Sequence, residues 1–98
     1  MTTLEHCERL IEEWFEASRP EFARKFPNLD YSDERYRPKL MNRLKYILLD
    51  EGTSGAFIVD KETGQCWRCK AYGVPNKKKP VGNVSTMTGV DLSAYRWF

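Results

Sequence analysis

Apolar residues recur at helical spacing from Leu4 through Cys7, Ile11, Trp14 and Phe15 to Ser18, and Leu10 widens the stripe. The positions between them are mostly Glu, so the pattern predicts an amphipathic helix over residues 3–18 with an acidic outer face. Thr2 and Glu5 have the capping-box spacing that starts such a helix. Ser18 and Glu21 repeat that spacing around Pro20, a residue suited to a first helical turn. A short second helix over 20–26 is therefore expected, with Phe22 and Phe26 on one face and Pro27 after its end.

The pattern is ambiguous over 28–45. Arg35, Arg37, Lys39, Arg43 and Lys45 take odd positions, while Tyr36, Pro38, Leu40, Leu44 and Tyr46 take even ones. A strand would turn these into one basic and one apolar face. Leu40, Leu44, Ile47 and Leu48 also fit a helix with Pro38 near its start. Proline disfavours a central strand, which points to an irregular or short helical lead-in and then a strand over 45–50. Glu51 to Gly55, including Thr53, reads as a turn. Residues 56–59 read as a strand, Asp60–Gly64 as a hairpin loop, and 65–72 as the next strand. Short connections make these strands an antiparallel meander. Beyond Tyr72, Gly73, Pro75, Asn76, Pro80, Gly82 and Asn83 predict a loop, and the tail of Leu92, Tyr95, Trp97 and Phe98 is expected to pack on the domain. The expected fold is α+β: an N-terminal helix plus a short second helix packed on an antiparallel β-meander. It is a single domain over 1–98, with a helical segment 1–27, a meander 45–72, and a basic loop and C-terminal segment 73–98.

A chain of 98 residues is long enough for one real core and too short for two. It has no apolar run approaching the roughly 20 residues of a membrane span. The N-terminal residues are acidic, without the pattern of a signal peptide, which points to a soluble protein of the cytoplasm with no membrane partner. The three cysteines fit free thiols in a reducing compartment. The net charge of +2 conceals an asymmetry: residues 1–34 hold nine acidic and four basic side chains, and residues 35–98 hold five acidic and twelve basic ones. The basic half is the natural side for an anionic partner, although two complementary halves of one fold give the same totals.

Catalytic chemistry finds little support. Cys66-Trp67-Arg68-Cys69 has C-x-x-C spacing, but inside a strand the two sulfurs point to opposite faces. Zinc would need two more ligands, and His6 and Cys7 diverge as neighbours on a helix. His6, the only histidine, lacks an oriented partner, and Glu12 and Glu13 diverge as well. No phosphate-loop or dinucleotide fingerprint occurs. The expectation is a non-enzyme with no cofactor and no metal.

Binding chemistry concentrates late in the chain. Alternation assigns Trp67, Cys69 and Ala71 to the core, and Cys66, Arg68, Lys70 and Tyr72 to an open basic face. Lys77, Lys78 and Lys79 follow. Cations for phosphate and rings for base stacking suit nucleic acid or a nucleotide. The candidate ligand-binding residues are Arg68, Lys70, Tyr72, Lys77, Lys78, Lys79 and Asn83. The segment Gly82–Gly89 is rich in small donors, and reads as an anion cradle or as an ordinary turn. A second reading gives the work to the helix: Glu5, Glu8, Glu12, Glu13 and Glu16 could imitate nucleic acid towards a basic host protein, making the chain a protein-binding inhibitor of a defence complex.

Phe57, Asp60, Gly64, Lys70, Ala71, Pro75, Lys79, Gly82, Asn83 and Val84 together form a pattern: an F-x-D-x-x-x-G hairpin, Lys-Ala, Pro, basic residues, then Gly-Asn-aliphatic. Over roughly residues 45–84, with Lys45-Tyr46-Ile47 as lead strand, this resembles a group of small proteins encoded by tailed phages and prophages. Relatives usually carry a Trp near Tyr72 or Gly73 and a more basic, alanine-rich loop. The resemblance implies a phage setting, a host cytoplasm and an accessory role such as interference with host defence. It brings no catalytic residues with it.

Overall fold

The computed structural model describes residues 2–52 and 54–97, apart from the side chains of Ser54, Arg96 and Trp97. Helix α1 (Thr3–Lys25) leads into strands β1 (Pro38–Asn42), β2 (Tyr46–Glu51), β3 (Ser54–Asp60), β4 (Gln65–Ala71) and β5 (Val74–Asn83), and helix α2 (Gly89–Trp97) follows. The strands form one five-stranded antiparallel sheet in sequence order, so the fold is α+β. Thr53, Trp97's side chain and Phe98, expected in a turn and in the packed tail, lie outside the described residues.

The capping box forms as its spacing predicts. The Glu5 amide donates to Thr2 Oγ1 at 3.1 Å, and the Thr2 amide donates to Glu5 Oε1 at 3.0 Å. The helix then differs from expectation. It does not stop at Ser18 for a second helix to begin; it runs through Pro20 to Lys25. Ser18 is a buried helical residue whose hydroxyl donates to Ser93 of α2 at 3.0 Å. Phe22 continues the buried stripe one turn further and stacks on Tyr31 with ring centroids 4.5 Å apart. Tyr31 also stacks on Phe15 at 5.3 Å, which ties the 26–37 connection back onto the helix. This burial outweighs the one backbone bond that Pro20 removes.

Residues 38–42 are the strand of the two open readings, not the favoured irregular or helical lead-in. Pro38 occupies the first position of an edge strand, where its missing N–H does no harm. Leu40 faces the core, and Lys39 and Met41 face away. The Asp60–Gly64 turn forms as expected: Asp60 Oδ1 accepts from the Glu62 amide at 2.8 Å, and Gly64 takes φ +79°.

The core lies between α1 and one sheet face. Cys7, Leu10, Ile11 and Trp14 meet Ile47, Leu49, Phe57, Val59 and Cys66 there, with Val84, Met87 and Leu92 closing one side. Trp14 meets Phe57 edge-on at 5.3 Å. Helix α2 packs on α1 rather than on the sheet. Its first residue, Gly89, presses on the α1 backbone so closely that an added Cβ would stand 2.2 Å from Trp14 N. Arg9 ties the loop before α2 to α1, with Nη2 donating to the carbonyls of Val84 and Met87 at 3.0 and 3.1 Å.

Candidate functional site

The sheet has a second face, away from both helices. Met41, Leu48, Ile58, Trp67 and Pro80 are successive register partners across all five strands and form a row along it. Their neighbours in sequence, Ile47, Leu49, Phe57, Val59 and Cys66, point into the core. The expected face assignment of β4 is therefore inverted. Cys66 lies in the core, while Trp67 and Cys69 are half-buried on the outer face. The reason is volume. Trp14 and Phe57 already fill the layer beneath the helix, and a cysteine fits beside them where a second tryptophan would not. The two C-x-x-C sulfurs do leave on opposite faces, as strand geometry requires. Burial pushes the thiols of Cys7 and Cys66 up to about 12, and all three cysteines are free. Among the described residues, no three His, Cys, Asp or Glu side chains converge as a metal site would require. No described helix is long and apolar enough to cross a membrane.

The segment expected to be a basic loop is instead the edge strand β5, and its irregularity places the lysines. Trp67 pairs with Pro80 and Cys69 with Pro75. Between these pairs β4 contributes Arg68 alone, whereas β5 contributes the four residues Asn76, Lys77, Lys78 and Lys79. The lysine block is thus an outward bulge of an edge strand, bracketed by two prolines that cannot donate to a ladder. Asn76 Oδ1 accepts from the Lys78 amide at 3.2 Å and shapes the bulge from within. Lys77 Nζ lies 5.6 Å from the ring centroid of Trp67, a cation–π contact on the outer face.

The sequence-derived candidates do not share one face. Arg68 stands opposite Phe57 and leaves β4 on the helix-facing side, and Lys70 follows it by alternation. Tyr72 is on the outer side: its ring lies over Gly55, and its hydroxyl donates to Asp50 Oδ2 at 3.1 Å. Lys77, Lys78 and Lys79 are exposed at the edge where the two faces meet. Asn83 has structural work. Its amide donates to the Thr63 carbonyl at 2.9 Å, and its Oδ1 accepts from the Ser85 amide and hydroxyl. The rest of Gly82–Gly89 is likewise a turn, with Thr88 and Asp91 bonded to each other at the start of α2. Outer-face residues outside the sequence-derived ligand-binding set are Trp67, Lys39, Arg43, Lys45 and Tyr46. The odd-position cations from 35 to 45 are the signal for Lys39, Arg43 and Lys45, available only once that segment is a strand and its adjoining turn; Trp67 and Tyr46 had no such signal.

The ion pairs found among the described residues gather near the N-terminal end of the chain. The four ion pairs among the described residues, Arg9–Glu13, Arg19–Glu16, Arg24–Glu21 and Arg35–Asp33, all lie within the first 35 positions. None involves Lys70, Lys77, Lys78 or Lys79. The acidic helix, by contrast, spends much of its charge internally. Glu5 closes the cap, Glu16 pairs with Arg19, and Glu13 holds both Arg9 and the Gly89 amide. A shallow groove of about 570 Å³ runs along Glu12, Glu13 and Glu16 beside Gly89 and Val90, remote in sequence from the lysines. No protein-family model, curated protein or solved structure matches this chain.

Proposed function

We propose that this chain is a non-catalytic binding protein whose partner is nucleic acid, held against the outer sheet face and the β5 bulge. One observation carries the reading: Lys77, Lys78 and Lys79 are gathered, exposed and outside every ion pair found among the described residues, beside a tryptophan on a sheet face that no helix covers. Lys70 and Arg68 extend the positive edge on one side. Lys39, Arg43 and Lys45 extend it across the outer face. Phosphates satisfy such cations at little desolvation cost, and ring faces add stacking that tolerates any base. The phage-type pattern over 45–84 supports an accessory role in a host cytoplasm. The rival inhibitor reading loses support because Glu5, Glu13 and Glu16 are already engaged within the molecule.

The test is fluorescence anisotropy with labelled mixed-sequence oligonucleotides at about 50 and 200 mM salt. Binding is expected to weaken steeply over that range, since each neutralised phosphate contributes a slope of about −0.7 to −0.9 in log affinity against log salt. Replacing Lys77, Lys78 and Lys79 together with Gln should weaken binding and flatten the slope by about two to three contacts' worth. No binding at the lower salt, or a complex indifferent to salt, sinks the proposal.

A further inference from the structure

Within the outer face lies a recess of about 410 Å³, lined by Arg43, Lys45, Tyr46, Leu48, Tyr72 and Gly73, with Leu44 at its rim. Its construction is specific. Leu48, only 3% exposed, supplies an apolar wall from β2. Tyr72 contributes a ring that is 55% exposed and yet fixed at two points. Its hydroxyl is tethered to the buried Asp50, and its edge rests over Gly55, where an added Cβ would meet Cδ2 at 3.1 Å. Tyr46 supplies a second ring, and Lys45 Nζ lies 5.4 Å from that ring's centroid. Arg43 and Lys45 stand on the exposed turn between β1 and β2.

We infer that this recess takes one unpaired base of a single-stranded nucleic acid, with Arg43 and Lys45 on the flanking phosphates. The inference rests on the nucleic-acid reading above and narrows its substrate class. The Tyr72 ring, already held in place, loses little freedom on stacking, and the apolar wall favours a flat heterocycle over a charged peptide. The volume lies in the range of small-ligand sites, enough for a nucleoside. A duplex hides its base faces inside the stack, so only its phosphates could use the cations. The register row continues from Leu48 through Ile58 to Trp67, two strand spacings or roughly 10 Å away. There Lys77 and Trp67 repeat the same pairing of cation and ring for a neighbouring nucleotide. The recess offers few directed polar groups, so recognition is by ring face and is sequence-tolerant.

The experiment compares labelled (dT)12 with a blunt duplex hairpin of equal phosphate count on the full chain. Two variants report independently: Tyr46→Leu, which keeps apolar bulk without the ring face, and Arg43→Gln with Lys45→Gln, on an exposed turn outside the core. Thermal melts confirm that each is folded. Tyr46→Leu should weaken (dT)12 about tenfold and leave the hairpin unchanged, since one base–aromatic stack is worth about that factor. The double variant should weaken (dT)12 and reduce its salt slope. Equal affinity of the wild type for hairpin and (dT)12, with Tyr46→Leu indifferent on both, overturns the recess while leaving the nucleic-acid reading standing. Competition by thymidine monophosphate as strong as by (dT)12 also overturns it, in favour of a free nucleotide. Failure of the wild type to bind either polymer removes the underlying reading itself.

Discussion

The phenol of Tyr72 donates to Asp50 Oδ2 across 3.1 Å and so joins the turn after β4 to the end of β2. Asp50 is 5% exposed, and its other oxygen, Oδ1, is buried without a hydrogen-bond partner. Burial raises the Asp50 carboxyl above its ordinary value, against smaller lowering effects from Tyr72, Arg43 and Lys39. The sign follows from linkage. A carboxyl raised on folding adds stability that is fully present below its unfolded pKa and lost as pH rises through its folded value. At neutral pH the ionised Asp50 therefore opposes folding. Asp50→Asn keeps an acceptor for Tyr72 and removes the buried charge. The variant should be more stable than the parent at pH 7. That advantage should vanish near pH 3, where Asp50 is protonated in both states. Urea titrations at the two pH values check this, and a variant less stable at pH 7 than at pH 3 relative to the parent would contradict it.

Gly89 touches α1 where no side chain can fit. A Cβ there would lie 2.2 Å from both Glu13 C and Trp14 N, which are backbone atoms that cannot swing aside. Gly89 also donates its amide to Glu13 Oε1 at 2.9 Å, so separating the helices breaks a hydrogen bond as well. Gly89→Ala should cost about 2–3 kcal/mol, at the upper end for forced overpacking. Chemical denaturation measures it. A neutral result would mean that α2 does not seat on α1 at this distance.

Pro20 shows how a local signal and a periodic one can disagree. Ser18, Pro20 and Glu21 read as the start of a new helix, yet Cys7, Ile11, Trp14, Ser18 and Phe22 form one unbroken buried stripe. The periodic signal prevails because it carries the packing, whereas the proline removes one bond on an exposed side. The helix should therefore hold a proline it does not need. Pro20→Ala should raise stability by about 2–2.5 kcal/mol, the helix-interior penalty of proline less the freedom that alanine adds to the unfolded chain. Helix content by circular dichroism should not fall. A destabilised variant would show that Pro20 sets a bend on which Phe22 and Tyr31 depend.

The candidate site was legible as composition and not as geometry. The lysine block and Tyr72 stand out in the sequence, but no periodicity announces that β5 bulges by several residues opposite Arg68. Bulges depend on pairing between strands, which a single chain segment does not encode. The same limit explains β4. In Gln65–Ala71 both alternating sets contain a cysteine, and hydrophobicity alone favours Trp67 for the interior. The packed layer of α1, with Cys7, Leu10 and Trp14, decides for Cys66, and that helix precedes β4 by three intervening strands.

Thiol labelling reads that inversion directly. Cys7 and Cys66 are fully buried with thiols pushed up to about 12, so at mildly alkaline pH neither presents thiolate to a reagent. Cys69 is half-buried beside Trp67 on the outer face, its thiol raised by burial and by the Asp50 carboxylate, and it alone has access. With an aromatic disulfide reagent the native protein should release one equivalent slowly, and the other two only as fast as it unfolds. Peptide mapping after brief labelling should find the modification on Cys69. Modification of Cys66 in the native protein, with Cys69 protected, would restore the opposite facing of β4 and take Trp67 and Lys77 off the outer surface. The same measurement on Cys69→Ser should show no thiol released ahead of unfolding. Adding (dT)12 should slow Cys69 in the parent if the nucleic acid lies across the row from Leu48 to Trp67, because the bound strand would cover that face.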